Sequence, residues 1–320
     1  MRIVLPTRAK RTPSVTVVVP CYNYGHFLPQ IVASVLTQAR VDARVVIVDD
    51  ASPDGSVEVA RRLSATDSRV EVIAHEVNAG HIQTYNDGLA TVTTDYVSLV
   101  SADDIVAPGA LGRATSLMEA HPRVGLVHGK AVPFSTEADR IPHGLTFLDV
   151  RTVWSGREWI EYAARGGRNP ILSPEAVMRT TALKQVGVYN SELPHAGDLE
   201  YWIRTAARWD VGWIRGPVQA YYRVHGANMH LTDFAGEAAN LRQLLLAFAS
   251  LDYPEIVAEL PDGPRLHDMA RATIARRAMK TAAVASDSEH DDALSAELIE
   301  LAHSAHPGVA TSWRPGSDRR

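Results

Sequence analysis

The 320-residue sequence predicts an α/β fold with a mainly parallel sheet flanked by helices, and two observations support this prediction. First, from residue 14 onward short runs of β-branched residues alternate with segments of helical periodicity, a pattern typical of βαβ units. Second, acidic pairs follow two of these runs, at Asp49 and Asp50 and again at Asp103 and Asp104. Ligands of open α/β sheets bind beyond the carboxyl ends of the strands, so both pairs are predicted to line one crevice.

The amino-terminal part of the chain supplies five predicted strands. They are Val15–Val19, Arg44–Val48, Val70–Ala74, Tyr96–Val100 and Val124–His128. Apolar residues spaced three and four apart predict a helix after each of the first four strands. These helices contain Phe27–Leu36, Val57–Leu63, Tyr85–Leu89 and Leu111–Met118.

The pattern is less regular further along the chain. Residues 133–174 contain a short predicted helix near Arg157–Ala164 and are expected to shape one side of the cleft. The remaining elements are predicted as helices at Thr180–Val186 and Asp198–Ala207, short strands at Gly212–Ile214 and Val218–Tyr222, and helices throughout 233–306. We therefore predict a flexible leader (1–13), an α/β domain (14–232), a carboxyl-terminal helical region (233–306) and a flexible tail (307–320). The helical region is a homodimer surface, an acceptor clamp or a membrane-facing element, and periodicity favours none of the three.

Composition excludes several classes of protein. The chain has 32 Lys and Arg residues against 37 Asp and Glu residues, with no basic stripe, so no nucleic-acid partner is expected. Cys21 is the one cysteine, so no intrachain disulfide can form. No apolar run approaches the roughly 20 residues of a membrane span, and we expect a cytoplasmic protein without a transmembrane segment.

The two acidic pairs have two interpretations. Carboxylates brought close together repel each other unless a positive charge lies between them, and a divalent cation with a phosphate-bearing ligand supplies that charge. Alternatively, these aspartates cap helices or form turns, as Asp often does after a strand. The order of motifs along the whole chain favours the first interpretation.

Several short motifs occur in a characteristic order. They are Val17-Val18-Val19-Pro20-Cys21-Tyr22-Asn23, Val48-Asp49-Asp50-Ala51-Ser52, Asn78-Ala79-Gly80, Asn86-Asp87-Gly88, Ser101-Ala102-Asp103-Asp104, Gly197-Asp198 and Tyr222-Arg223-Val224-His225. With these motifs, residues 14–229 resemble the family 2 inverting glycosyltransferases with the GT-A fold. The resemblance implies a Rossmann-like nucleotide-binding half and a nucleotide-diphosphate sugar donor, expected to be a UDP-sugar.

The resemblance also implies roles for individual residues on the donor side. Matched position by position, the nucleotide-sugar contacts are Pro20, Cys21 and Tyr22 along the base, Asp49 and Asp50 on base and ribose, Asn78 beside the nucleotide, and Ser101, Ala102 and Asp103 in the family's Asp-any-Asp motif. For Tyr22 the alternative is an aromatic ring packed under a turn.

Asp103 and His225 are the implied ligands of a divalent metal, Mn²⁺ or Mg²⁺, which binds carboxylate, imidazole and phosphate oxygen. Ser101 stands where the family often has its first aspartate, which lowers the negative charge of the site. Asp104 either compensates for this change or orients the site from behind the ligands. Arg223 is expected to pair either with phosphate or with a neighbouring acid.

On the acceptor side, Asp198 is the implied general base, a role that suits a carboxylate whose pKa is raised by burial. Gly197 occupies the first place of the family's acidic pair, so one carboxylate is left. Two alternatives stay open: Asp198 caps its helix, or Glu200 is the base. His195 and Trp202 are candidate acceptor contacts, although the helical spacing of Trp202 equally suits a core position.

The leading prediction is therefore an inverting glycosyltransferase that transfers a sugar to a hydroxyl of a saccharide, a lipid-linked saccharide or a small natural product. The competing hypothesis is a non-catalytic nucleotide-sugar-binding module, in which Ser101 and Gly197 mark a degenerate site and the terminal helices form an assembly surface. A nucleotidyltransferase is disfavoured because the residues after Val19 do not form a glycine-rich phosphate loop.

Overall fold

The computed structural model describes residues 1–7, 9–140, 148–226, 228, 236–289 and 291–314, and within them ten strands form one sheet. The strands are β1 (Arg2–Val4), β2 (Ser14–Cys21), β3 (Asp42–Asp49), β4 (Val70–Ala74), β5 (Tyr96–Leu99), β6 (Ile105–Val106), β7 (Val124–Phe134), β8 (Val150–Trp154), β9 (Val177–Arg179) and β10 (Asp210–Arg223). Their order across the sheet is β1-β8-β10-β7-β9-β5-β2-β3-β4, and β6 pairs with β10.

The helices follow the predicted alternation. They are α1 (Leu28–Leu36), α2 (Ser56–Thr66), α3 (His81–Ala90), α4 (Ala110–Ala120), α5 (Gly156–Gly166), α6 (Thr180–Val186), α7 (Gly197–Arg208), α8 (Glu237–Ala249), α9 (Pro254–Val257), α10 (Gly263–Val284), α11 (Asp292–Ala305) and α12 (Pro307–Ser312). Among the residues with a described position, no helix combines the length and the apolar character needed to cross a bilayer.

The chain divides into two compact units. The first contains the entire sheet and consists of Met1–Gly156, Ile171–Pro194 and Trp209–His225. The second consists of Arg157–Pro170, His195–Arg208 and Gly226–Arg320, and its described elements are helical, including nearly all of α5 and all of α7. The predicted boundary between residues 232 and 233 lies outside the described residues. The homodimer surface on the terminal helices stays a prediction.

The parallel part of the sheet places the site. Strands β4, β3, β2 and β5 are neighbours in this order and all run parallel. From β2 the chain adds β3 and β4 on one side and β5 on the other, so the strand order reverses between β2 and β5. A crevice at the carboxyl ends of the strands opens at such a switch point. Asp50 follows β3 and Asp103 follows β5, so both acidic pairs lie at this edge, as predicted.

Beyond β5 the sheet is mixed, which periodicity did not predict. Strand β9 pairs antiparallel with both β5 and β7, while β7 and β10 are parallel. The two short strands predicted at residues 212–222 are one strand, β10, with an irregular register between Trp213 and Val218.

Both predicted flexible ends contain regular structure. In the leader, β1 pairs with β8 at the edge of the sheet, and in the tail α12 buries Ala310. A three-residue strand and a six-residue helix are too short for periodicity to show. Residues 315–320 of the tail lie outside the described part of the chain.

Helices cover both faces of the central strands. On one face, Leu28, Ile31 and Val35 of α1 are fully buried in the main apolar core. On the other face, α3 approaches the sheet at Gly88, where an added Cβ would lie 2.4 Å from Val18 Cγ1 and 2.9 Å from Val48 Cγ2. The close approach of α3 to β2 and β3 therefore requires glycine at this position.

Gly88→Ala is expected to lower the free energy of unfolding by about 1–3 kcal/mol, because the added methyl group overpacks α3 against the sheet. The comparison is Gly308→Ala in α12, where the nearest atom to an added Cβ lies at 3.6 Å. That substitution should leave stability unchanged or raise it by up to about 1 kcal/mol. Urea denaturation measures both, and equal effects at the two positions would contradict the packing argument.

Candidate active site

Asp50 is held by the loop that follows β4. Its Oδ1 accepts hydrogen bonds from Ala79 N at 2.7 Å and from His75 Nδ1 at 2.8 Å, and its Oδ2 accepts one from Gly80 N at 3.0 Å. Its main-chain oxygen accepts a hydrogen bond from Asn78 Nδ2 at 3.3 Å. Burial by itself raises the pKa of Asp50, but these three donors outweigh it and the net shift is downward. Asp50 is thus a buried anion that organises the loop.

Asp49 differs from its neighbour. It is the last residue of β3 and is 2% exposed. Oδ2 accepts a hydrogen bond from Ser52 N at 3.2 Å, whereas Oδ1 has no hydrogen-bond partner among the described residues. A buried carboxylate oxygen left without a donor is costly in free energy. Of the two acids at the end of β3, Asp49 is the one with an oxygen that no described residue engages.

The end of β2 and the residues that follow it lie at the same edge of the sheet. Cys21 is buried, and its burial raises the pKa of the thiol to about 11, so it packs as a small apolar group. Tyr22 is 46% exposed, which does not fit a ring packed under a turn. The backbone here is tied to the loop after β3 by Asn23 N donating to Ser52 Oγ at 3.0 Å and Gly25 N donating to Ser56 Oγ at 2.7 Å.

The loop after β5 carries the predicted metal ligand. Asp103 Oδ2 lies 3.0 Å from His225 Nε2, so the structure brings together the two residues proposed to hold a metal. The His225 ring stacks on Phe27 at 5.9 Å and meets Tyr24 edge-on at 5.5 Å. Burial and the nearby Asp103 and Asp104 carboxyl groups raise the pKa of Tyr24 to about 12.

Ser101 and Ala102 precede Asp103 in this motif, and their contact with the nucleotide sugar stays a prediction. Ala102 is 1% exposed, and Ser101 contributes its carbonyl to a turn, in which Asp104 N donates to it at 3.0 Å. This turn brings Asp104 toward β10, where Arg223 lies.

Asp104 is buried behind Asp103. Its Oδ1 accepts a hydrogen bond from Arg223 N at 2.9 Å, and 3% of the residue is exposed. Burial, followed by repulsion from Asp103, raises its pKa well above the ordinary value of 3.8. Of the two predicted roles, the structure therefore favours orientation of the loop from behind the ligand.

Arg223 is bound to protein groups. Its Nε donates to Asp103 O at 2.8 Å and its Nη2 to Gln30 Oε1 at 2.6 Å. Its guanidinium lies between two rings, 4.5 Å from the centroid of Phe27 and 4.4 Å from that of Phe134. These contacts tie Arg223 to the acidic turn, and its pairing with phosphate or with a neighbouring acid stays a prediction.

The donor set fits a divalent cation that is shared with a ligand. Within the described ranges, no cluster of three His, Cys, Asp or Glu side chains converges to hold an ion without help. Mg²⁺ is usually bound by one or two carboxylates together with phosphates and water, and Mn²⁺ also accepts imidazole. Asp103 and His225 match this arrangement.

The predicted acceptor-side residues belong to the second compact unit. Asp198 is half-buried in the first turn of α7. Glu200, the alternative base, is 2% exposed, and both of its oxygens accept hydrogen bonds from Arg204, at 2.7 and 2.9 Å. Trp202 is 3% exposed and meets Tyr201 edge-on at 5.8 Å, so it is a core residue. His195 is half-buried and precedes α7 by two residues.

Sequence reasoning missed two contributors. His75 directly follows β4 and contacts Asp50, and the only signal was a polar residue at a strand end. Gln30 lies on α1 and holds Arg223, but in the sequence it is an ordinary polar residue of an amphipathic helix. Contacts that span large separations along the chain have no local signal.

Comparison with known proteins identifies the family. Residues 16–186, more than half of the chain, match the sequence model described as glycosyl transferase family 2. The chain belongs to this family.

An uncharacterized glycosyltransferase of Haemophilus influenzae is 23% identical over 67% of this chain and 66% of its own length. The uncharacterized glycosyltransferase EpsJ of Bacillus subtilis is 33% identical over 33% of this chain and 31% of its own length. The chain thus spans about two thirds of one relative and one third of the other.

Solved structures confirm the GT-A fold of this family 2 glycosyltransferase. Staphylococcus aureus TarS in complex with UDP-GlcNAc superimposes with a TM-score of 0.61 and 17% identity, over 96% of this chain and 93% of that one. The mannosyltransferase PcManGT of Pyrobaculum calidifontis, in complex with GDP-Man and Mn²⁺, gives a TM-score of 0.54 and 19% identity over 94% and 89% of the chains.

Asp104→Asn tests the burial of the second acid in this glycosyltransferase. Because the folded pKa is raised, the wild type loses up to about 1.4 kcal/mol of stability per pH unit from near pH 4 up to that pKa, whereas asparagine does not titrate. The variant should therefore gain stability relative to the wild type as the pH rises from 4 to 8. Denaturant unfolding across this range measures the difference, and parallel pH profiles would refute the assignment.

Proposed function

We propose that this family 2 enzyme transfers a sugar, with inversion, from a nucleotide-diphosphate donor to an acceptor hydroxyl, and that the donor is a UDP-sugar. The observation that carries the proposal is the pairing of Asp103 with His225 beside the β2/β5 switch point. The UDP-GlcNAc bound to TarS and the GDP-Man and Mn²⁺ bound to PcManGT support a nucleotide-sugar ligand.

Asp103 and His225 would hold a divalent cation together with the donor diphosphate. When bound, a divalent cation acts as a Lewis acid that stabilises the departing diphosphate. The chain supplies one carboxylate and one imidazole, which leaves room for phosphate oxygens. Arg223 and Asp104 keep Asp103 in place behind these ligands.

The nucleoside is proposed to bind along the edge formed by Tyr22, Asp49 and the Asn78–Gly80 loop. Tyr22 offers an exposed ring for stacking, and Asp49 Oδ1 has no hydrogen-bond partner within the described chain. A carboxylate is a strong acceptor for the N–H and hydroxyl groups of a nucleoside. Asp50, which is occupied by three donors, acts on the nucleoside through the loop.

Asp198 is the proposed general base that takes the proton of the acceptor hydroxyl as it attacks the anomeric carbon. Attack opposite the leaving diphosphate in one displacement inverts the configuration at that carbon. Glu200 is the weaker candidate because both of its oxygens are engaged by Arg204. The proposed acceptors are a saccharide, a lipid-linked saccharide or a small natural product.

Asp198→Asn should lower kcat for sugar transfer by about 10²–10⁴-fold and leave donor affinity near that of the wild type, because asparagine keeps the shape but takes no proton. Steady-state release of nucleoside diphosphate at saturating donor and acceptor measures kcat, with Glu200→Gln for comparison. If Glu200→Gln loses turnover and Asp198→Asn does not, Glu200 is the base. A wild type that binds donor but never turns it over would indicate the non-catalytic binding module.

Asp103→Ala should remove the dependence of nucleotide binding on metal. A thermal unfolding screen with UDP, GDP, Mn²⁺ and Mg²⁺ is the test, since a ligand at 100 times its Kd stabilises the fold by about 2.7 kcal/mol. For the wild type we expect stabilisation by UDP with metal that exceeds the sum of the separate effects. If the same excess persists in Asp103→Ala, Asp103 is not a metal ligand.

A further inference from the structure

His75 joins three parts of the first unit near the proposed nucleoside edge. Its Nδ1 lies 2.8 Å from Asp50 Oδ1, at the end of β3, and its Nε2 lies 3.2 Å from Asp87 Oδ2 on α3. Its main-chain N donates to Asp49 O at 2.9 Å. The contact with Asp87 has the length of an ion pair without the angle of a hydrogen bond, so the bond to Asp50 is the stronger of the two.

The hydrogen bond between His75 and Asp50 can have only one direction. A carboxylate oxygen only accepts, so His75 Nδ1 carries the hydrogen and donates it. Asp50 Oδ1 then serves both His75 and Ala79 N, while Oδ2 serves Gly80 N. The imidazole thus holds the Asp50 carboxylate in the orientation that accepts hydrogen bonds from Ala79 N and Gly80 N.

The loop needs such support because its backbone is unusual. Gly80 has φ +83° and ψ 156°, a conformation that glycine adopts readily and other residues rarely do. Gly80 N donates to two side chains, Asp50 Oδ2 at 3.0 Å and Asn78 Oδ1 at 3.1 Å. Removal of the donor that fixes Asp50 would release the loop at the position where α3 begins.

We infer that His75 is a positioning residue of the nucleotide site, which acts through Asp50 to hold the Asn78–Gly80 loop in its nucleotide-binding shape. This inference rests on the proposed function for the ligand, but the hold on the loop is a property of the free protein. His75 contacts no substrate in this account. Its loss should weaken donor binding more than it slows the chemical step.

Two isosteric substitutions separate the contacts of the ring. The side-chain nitrogen of asparagine occupies about the place of Nδ1 and that of glutamine about the place of Nε2. His75→Asn therefore keeps a donor to Asp50, whereas His75→Gln keeps one toward Asp87 and His75→Ala keeps neither. His267→Ala is the matched control, because His267 Nδ1 pairs with Asp252 Oδ2 at 2.7 Å and both residues belong to the second unit.

Amide hydrogen exchange and calorimetry with UDP and Mn²⁺ are the two measurements. In His75→Ala and His75→Gln we expect the Ala79 and Gly80 amides to exchange about tenfold faster and UDP with Mn²⁺ to bind about tenfold more weakly, through loss of a charge-assisted hydrogen bond. The KM for the donor should rise while kcat changes less. His75→Asn should restore most of both losses, and His267→Ala should show neither.

Equal behaviour of the alanine, asparagine and glutamine variants, whether all like the wild type or all impaired, would overturn the inference. Failure of the wild type to bind UDP or GDP with Mn²⁺ would instead count against the proposed function. The exchange measurement on the free protein would then still decide whether His75 holds the loop.

Discussion

The geometry of the candidate site depends on one half-buried residue, Arg223. Two adjacent carboxyl groups, Asp103 and Asp104, are buried after the end of β5, and burial together with repulsion from Asp103 raises the pKa of Asp104. Arg223 contacts both residues: its main-chain N donates to the carboxyl group of Asp104, and its guanidinium Nε donates to the main-chain carbonyl of Asp103. Two phenylalanine rings fix the plane of the guanidinium, and each such contact contributes about 0.5–2 kcal/mol.

The two acidic pairs are used in the same way. In each pair one carboxyl group is engaged by main-chain N–H groups, Asp50 by Ala79 and Gly80 and Asp104 by Arg223. In each pair the other acid is the one proposed to bind a ligand: Asp49 through Oδ1, which has no hydrogen-bond partner among the described residues, and Asp103 through Oδ2, which now contacts His225. In our proposal, one acid of each pair therefore shapes a loop and the other binds the ligand.

Periodicity predicted the half of the fold whose strands are long and whose helices are amphipathic. Val70–Ala74 and Thr180–Val186 have the predicted bounds, because β-branched runs and helical spacing show in the sequence. Strands β1, β6 and β9 were missed because two or three residues carry too little pattern, and β8 was missed because it lies in the irregular segment 133–174. The sheet is mixed beyond β5 because β9 runs antiparallel between β5 and β7, a pairing that no local signal encodes.

The site was predicted where a residue type and a strand end coincide, as for Asp103 and His225, which the structure places in contact. The sequence could not show that Asp50 and Arg223 are engaged by protein groups, since their hydrogen-bond partners lie 25–30 and 119–193 residues away.

The most direct test of the proposed site is a crystal structure with UDP and Mn²⁺, with the ion located by its anomalous scattering. We predict Mn²⁺ on Asp103 and His225, with Asp50 still bound to Ala79 and Gly80. An ion elsewhere, or Asp50 turned onto the base, would contradict this prediction.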